Sequence, residues 1–193
     1  IQRPMSWPAF ETNVLARIEF NSVAIPFSRR PSLGMALKRR GKRVTANDIL
    51  QSGWTLGLGM IQNNTDRLSD TDLDLVLEDA YVPGLELDNP SLRRWFNETD
   101  AWWFDNVRRN IDRLESPYLF ALAAGIVMDV GDYVLGFNDE TRDLRQPLSN
   151  VYRRLWRDLP MPNNNSQNNS CENKGANEFL AESFVDLMFL RLP

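Results

Sequence analysis

The chain has 193 residues, 42% of them hydrophobic and 25% charged, as in ordinary folded domains, and its net charge of −4 gives no general attraction to nucleic acid. It contains no histidine and a single cysteine, Cys171. Imidazole catalysis, ordinary zinc sites, a cysteine metal cluster and an internal disulfide are therefore excluded, and any chemistry falls to carboxylates, hydroxyls, lysine or backbone groups.

Residues 9–18 read as a short helix leading into a first strand. NSVAIPF (21–27) is an apolar β-type run. RRPSLGMALKRRG (29–41) has helical spacing, opens at Pro31 and Ser32 and stops at Gly41. KRVTAND (42–48) is a second β-branched run ending in Asp48, and a helix follows it. This is a βαβ unit with a carboxylate at the tip of its second strand. In dinucleotide folds such a carboxylate grips ribose hydroxyls about 20 residues after a glycine-rich turn. Here Ser28, Arg29, Arg30, Pro31 and Ser32 stand where the glycines belong. Asp48 therefore reads either as a ribose ligand or as a helix cap.

From Ser69 to Leu159 the patterns are all helical. Ser69 caps a helix with acids in its first turn. Asn89 and Pro90 open what reads as one long helix carrying Trp95, Phe96, Trp102, Trp103 and Phe104. These aromatics read as a base-stacking surface or as core packing of this helical stretch against the α/β layer. Ser116 and Pro117 open another helix, and a further one is interrupted at Pro147. The acids Asp70, Asp72, Asp74, Glu78 and Asp79 do not have the spacing of a calcium loop, and Glu178 and Glu182, one helical turn apart, would permit metal bridging but have no further ligand in view, so no metal ligands are expected. Residues 161–175 form a polar, low-complexity loop. A short helix follows, and VDLMFLRL (185–192) reads as a strand buried on both faces. No run reaches the roughly 20 apolar residues that span a bilayer. The best candidate carries Asp129 and Asp132. With no signal peptide visible, no membrane partner and a cytoplasmic location are expected. The sequons at Asn63, Asn97, Asn164 and Asn168 are read as chance in an asparagine-rich chain.

The order of these segments resembles the class I S-adenosylmethionine-dependent methyltransferases, specifically the DNA N6-adenine methyltransferases. IPFSRRPSLGMALKRRGKRVTANDIL falls where that group has Asp-Pro-Phe-Ser-Gly-Ser-Gly, a helix, then Ala-Asn-Asp-Ile-Leu. ENKGANEFL falls where Asn-x-Asp-Ala-x-Glu-Phe-Leu is common, and VDLMFLRLP where a strand leads into Asp-Pro-Pro-Tyr. The resemblance implies an α/β fold with a Rossmann-like parallel sheet, incomplete, and a large all-helical insertion. Residues 1–64 would form the first part of the core, 65–162 the insertion and 163–193 the return to the core as loop, strand near 170–174, helix and strand. It implies S-adenosylmethionine as cofactor, held by Phe27, Ser28 and Asp48, or no cofactor at all.

The departures bear on both alternatives. Ile25 replaces the first acid, Arg29 and Pro31 replace two glycines, and Gly175 replaces an adenine-binding Asp. Arg191 and Leu192 stand where Asp and Pro of the catalytic motif would be, and only Pro193 agrees. Arginine has no acceptor for an amine proton, so no catalytic residue is expected. The function expected is that of a degenerate DNA adenine methyltransferase-like protein, non-catalytic, serving as a structural, regulatory or nucleic-acid-binding subunit. The alternatives are an active adenine-N6 methyltransferase, whole or in part, and a cofactor-free nucleic-acid-binding module. DNA would be met by Arg29, Arg30, Lys38, Arg39 and Arg40; Lys38 to Arg43 also read as a solvated helix end, whereas Arg29 and Arg30, in the cofactor turn, also read as anion-binding or as paired with a carboxylate. Residues 185–192 would be an apolar sheet edge, calling for a protein partner or further polypeptide to cover it.

Overall fold

Four short strands run parallel in the order β3-β2-β1-β4, where β1 is Ser22–Ile25, β2 Arg43–Asn47, β3 Ser170–Glu172 and β4 Leu187–Met188. The computed structural model describes residues 7–138 and 140–191. Strand and helix alternate on either side of an all-helical stretch between β2 and β3, and the sheet has the order of the first half of a doubly wound α/β fold. Two units are distinguished: Ile1–Asp66 with Pro162–Pro193, and Arg67–Met161.

The sheet unit is built on strand alternation. Val23, Ile25, Val44, Ala46 and Cys171 project to one face and form a core with Leu33, Leu37 and Ile61. Helices α1 (Trp7–Leu15), α2 (Ser32–Arg39) and α3 (Gln51–Gly57) belong to this unit, and α3 runs on as a π-helical turn, Leu58–Gln62. Gly41, at φ +77°, takes the left-handed conformation that ends α2, where the sequence places the stop. The other face of β2 and β3 is polar, with Arg43, Thr45, Ser170 and Glu172 beneath α8 (Ala176–Glu182).

Side chains from the asparagine-rich segment bind the backbone of the sheet unit, and its last residues form β3. Asn165 Nδ2 donates to the carbonyls of Lys38 and Lys42 just beyond α2, and Asn169 Oδ1 accepts the Val44 N–H at 2.9 Å. Asn47 ties three strand ends together. Its amide donates to the Pro26 and Lys174 carbonyls and accepts the Lys174 N–H. Asp186 accepts the N–H groups of Asn21 and Ser22, which hold its carboxyl below the usual carboxylate range.

Two further expectations are revised. The strand at 185–192 contributes only two residues to the ladder, and it is not buried on both faces. Among the described residues it pairs with β1 alone, Met188 is 36% exposed, and Leu190 beyond it is exposed. Leu192 and Pro193 lie outside the described residues. The helix read from Asn89 is broken. Pro90–Arg94 is a 3-10 turn, and α5 (Glu98–Ile111) restarts at a second cap, Asn97, whose side chain accepts the Asp100 N–H.

The helical unit comprises α4 (Asp70–Val76), α5, α6 (Pro117–Leu135) and α7 (Leu148–Arg157). α4 opens with a reciprocal capping box between Ser69 and Asp72. One face of α5 carries buried Asn106 and Asn110, whose amides hold the carbonyls of Val76, Glu78, Asp79, Ala80 and Val82. Asp100 and Arg145 form a largely buried ion pair at 2.9 Å. α6 is long and apolar enough to cross a membrane by length and composition, and 39% of that stretch is buried within the protein. Ala121, Ala123, Ile126 and Val130 supply its buried face.

Candidate functional site

In open α/β sheets a ligand crevice lies beyond the carboxyl ends of the strands, where the strand order reverses. Here that point lies between β1 and β4. The residues at these strand ends are Phe27 and Ser28 after β1, Asp48 after β2 and Arg191 after β4.

The turn from Phe27 to Pro31 joins β1 to α2. Among the described residues, positive φ occurs at Gly41, Asp79 and Ser166, so this turn is made without glycine and without a left-handed residue. Pro31 precedes the first helical residue at φ −75°, close to the value its ring imposes. The Ser28 N–H donates to Asn47 O at 2.9 Å. The Ser28 hydroxyl is buried and has no hydrogen-bond partner among the described residues. Arg29 and Arg30 are exposed.

Asp48 is 6% exposed. Its Oδ1 accepts the Leu50 N–H at 2.9 Å, and its carboxylate lies against the first turn of α3. A Cβ at Gly53 would stand 2.5 Å from both Cγ and Oδ2. Glycine there is what lets the helix close over the carboxylate. The chain outside it is apolar, with Ile49 69% and Leu50 54% exposed. At the end of β4, Arg191 is paired with Glu11 of α1, its Nε donating to Oε1 at 2.9 Å and its Nη2 to Oε2. Glu11 is buried.

The basic residues singled out in the sequence do not form one patch. Arg29 and Arg30 lie before the first turn of α2, while Arg39 and Arg40 lie at its other end, about 12 Å along the helix. Lys38 corrects the reading of a surface cation. It is 1% exposed, and its ammonium donates to the carbonyls of Ile61 at 2.8 Å and Asn63 at 2.5 Å, where no phosphate reaches it. Burial pushes its pKa down to about 8, against a smaller opposing pull from Cys171. Arg40 donates to Thr12 O, Lys42 to Phe20 O and Arg43 to Phe184 O.

The aromatic concentration on α5 is mostly core. Trp102, Trp103 and Phe104 are buried, Trp103 donates to Ser149 Oγ, and Trp95 alone of the group is well exposed, at 70%. The sheet unit has eleven basic and eight acidic residues, the helical unit eleven and eighteen. The helical unit thus carries most of the negative charge, which opposes a phosphate-stacking role for its aromatics. A cleft of about 230 Å³ on the polar sheet face has its charges matched, because Lys174 pairs with both Glu172 and Glu182. Sequence reasoning missed Glu11, whose pairing with Arg191 joins residues 180 positions apart and leaves no local signal.

No family model matches the chain, and no solved structure matches it. Over 110 residues, 57% of its length, the chain is 32% identical to the Type II methyltransferase M2.HphI of Haemophilus parahaemolyticus. It is methyltransferase-like. The matched stretch covers 32% of that protein, so the chain spans about a third of the length of the relative it matches.

A methyltransferase-like sheet raises the question of S-adenosylmethionine, and the residues present do not fit it. That cofactor carries a sulfonium and an ammonium against one carboxylate. The turn meets it with two guanidiniums, and Pro31 offers no N–H.

Proposed function

We propose that this chain is a methyltransferase-like module that does not itself transfer methyl groups, and that it works as a structural, regulatory or nucleic-acid-binding subunit. The observation that carries this reading is the Arg191–Glu11 pair at the end of β4. The resemblance expects an acceptor for the target amine there. The position holds a cation with no acceptor atom, and the nearby carboxylate of Glu11 is committed to neutralising it.

The free edge of β4 supports the partner side of the proposal. A parallel strand laid along β4, from another protein or from further polypeptide, would pair its open backbone groups and cover Met188 and Leu190. A second reading, an adenine-N6 methyltransferase whole or in part, is favoured by Asp48 at the tip of β2 and by the likeness to M2.HphI. Titration calorimetry with S-adenosylmethionine, followed by a methyl-transfer assay on adenine-containing duplex DNA, separates the two. The first reading expects neither binding nor transfer from the folded chain. Micromolar binding abolished by Asp48→Ala, with methyl incorporation, would establish the second.

A further inference from the structure

The same turn that rejects a cationic cofactor is equipped for an anion. Its guanidiniums, Arg29 and Arg30, are exposed and have no hydrogen-bond or ion-pair partner among the described residues. They adjoin the first turn of α2, where the leading N–H groups of a helix have no intrahelical acceptor and present positive partial charge. Ser28 supplies the second, independent sign. It is 96% buried in the turn itself, and its hydroxyl is left without a partner. Buried hydroxyls are ordinarily satisfied, and one that is not calls for a missing group.

We propose that the turn from Phe27 to Ser32 is an anion site that seats a phosphoryl group, with Arg29 and Arg30 neutralising its charge, the first N–H groups of α2 donating to its oxygens and the Ser28 hydroxyl completing the shell. Phosphate suits this donor set because it offers several strong acceptors to guanidinium and N–H donors together. Arginine in place of glycine then has a positive use. It supplies positive charge at the mouth of the turn. The phosphoryl group can belong to a free nucleotide or to a nucleic-acid backbone, and the chemistry is shared.

The proposal rests on the misfit with S-adenosylmethionine, but its test is separate. The full chain is titrated calorimetrically with inorganic pyrophosphate, with ADP and with a single-stranded oligodeoxynucleotide. The variants are Arg29→Ala/Arg30→Ala, Ser28→Ala and, as a control, Arg17→Ala, an exposed cation before β1 and outside the turn. At least one of these phosphates should bind, and the double variant should weaken it by about tenfold or more. Ser28→Ala should weaken it less, and Arg17→Ala should leave it unchanged. ADP binding at least as tight as pyrophosphate identifies a nucleotide as the source. Oligonucleotide binding that pyrophosphate displaces identifies a backbone phosphate. Both outcomes support the site. No phosphate binding to the folded chain, or binding that survives the double variant, overturns it. S-adenosylmethionine binding would instead overturn the non-catalytic reading, whatever the phosphate arms give.

Discussion

Lys38 gives the sheet unit a pH dependence that can be worked out from its surroundings. Its ammonium is enclosed, and burial pushes its pKa from 10.5 to about 8. Between those values the unfolded chain keeps a proton that the folded chain has released, so stability rises with pH across the window. The cost of enclosing the charge is fully present below pH 8 and amounts to about 3 kcal/mol. Cys171 acts in the opposite sense. Burial pushes its thiol from 9.0 up to about 12, so its contribution is complete below pH 9 and is lost as pH climbs beyond it. The two windows overlap, and a Cys171→Ala background removes the opposing titration. In that background, urea unfolding of the Lys38 protein and of Lys38→Met is compared from pH 7.5 to 10.5. The Lys38 protein should gain about 3 kcal/mol relative to Lys38→Met over that range. Parallel pH profiles would refute the reasoning, since they would mean that the ammonium keeps its proton throughout.

Two other predictions concern packing and pairing. Gly53→Ala puts a methyl group 2.5 Å from the Asp48 carboxylate. It should cost about 1–3 kcal/mol in thermal or chemical unfolding, and an unchanged melting temperature would show that the helix does not close over Asp48 as described. Asp100→Ala strands the Arg145 guanidinium beside α5, where Arg145 Nε already has no partner. The loss should be about 3–5 kcal/mol, and Asp100→Leu/Arg145→Met should recover most of it; equal losses in single and double variants would count against a buried pair.

Much of the fold was legible because the signals were local. Ser69 and Ser116 could be read as caps because the hydrogen bonds they accept come from two or three residues away. Pro31 and Gly41 bracket α2 by backbone constraint alone. The missed features depend on distant partners. Asn97 looked like part of a continuing helix because nothing nearby marked the 3-10 turn before it. Asn165 and Asn169 looked like loop filler, yet their partners are the backbone of Lys38, Lys42 and Val44, more than 120 positions earlier. Lys38 counted as one of a run of surface cations, and only the return of the chain at Ile61 and Asn63 encloses it. At the candidate site the residue identities were readable and the commitments were not. Neither the closure of Gly53 over Asp48 nor the capture of Arg191 by Glu11 has a signature in spacing.

The order in which a ribosome delivers these pieces follows from the insertion of the helical unit between neighbouring strands. β2 emerges with its outer edge unpaired, and β3, which pairs with it, comes about 120 residues later, some 6–25 seconds at typical elongation rates. The helical unit, whose packing is largely between sequence neighbours, is complete within that interval, whereas the parallel sheet depends on long-range pairing. During synthesis that edge of β2 therefore stays without its strand partner until β3 has emerged. Any slowing of translation between β2 and β3 lengthens the period in which Val44 and Ala46 lack their final neighbour.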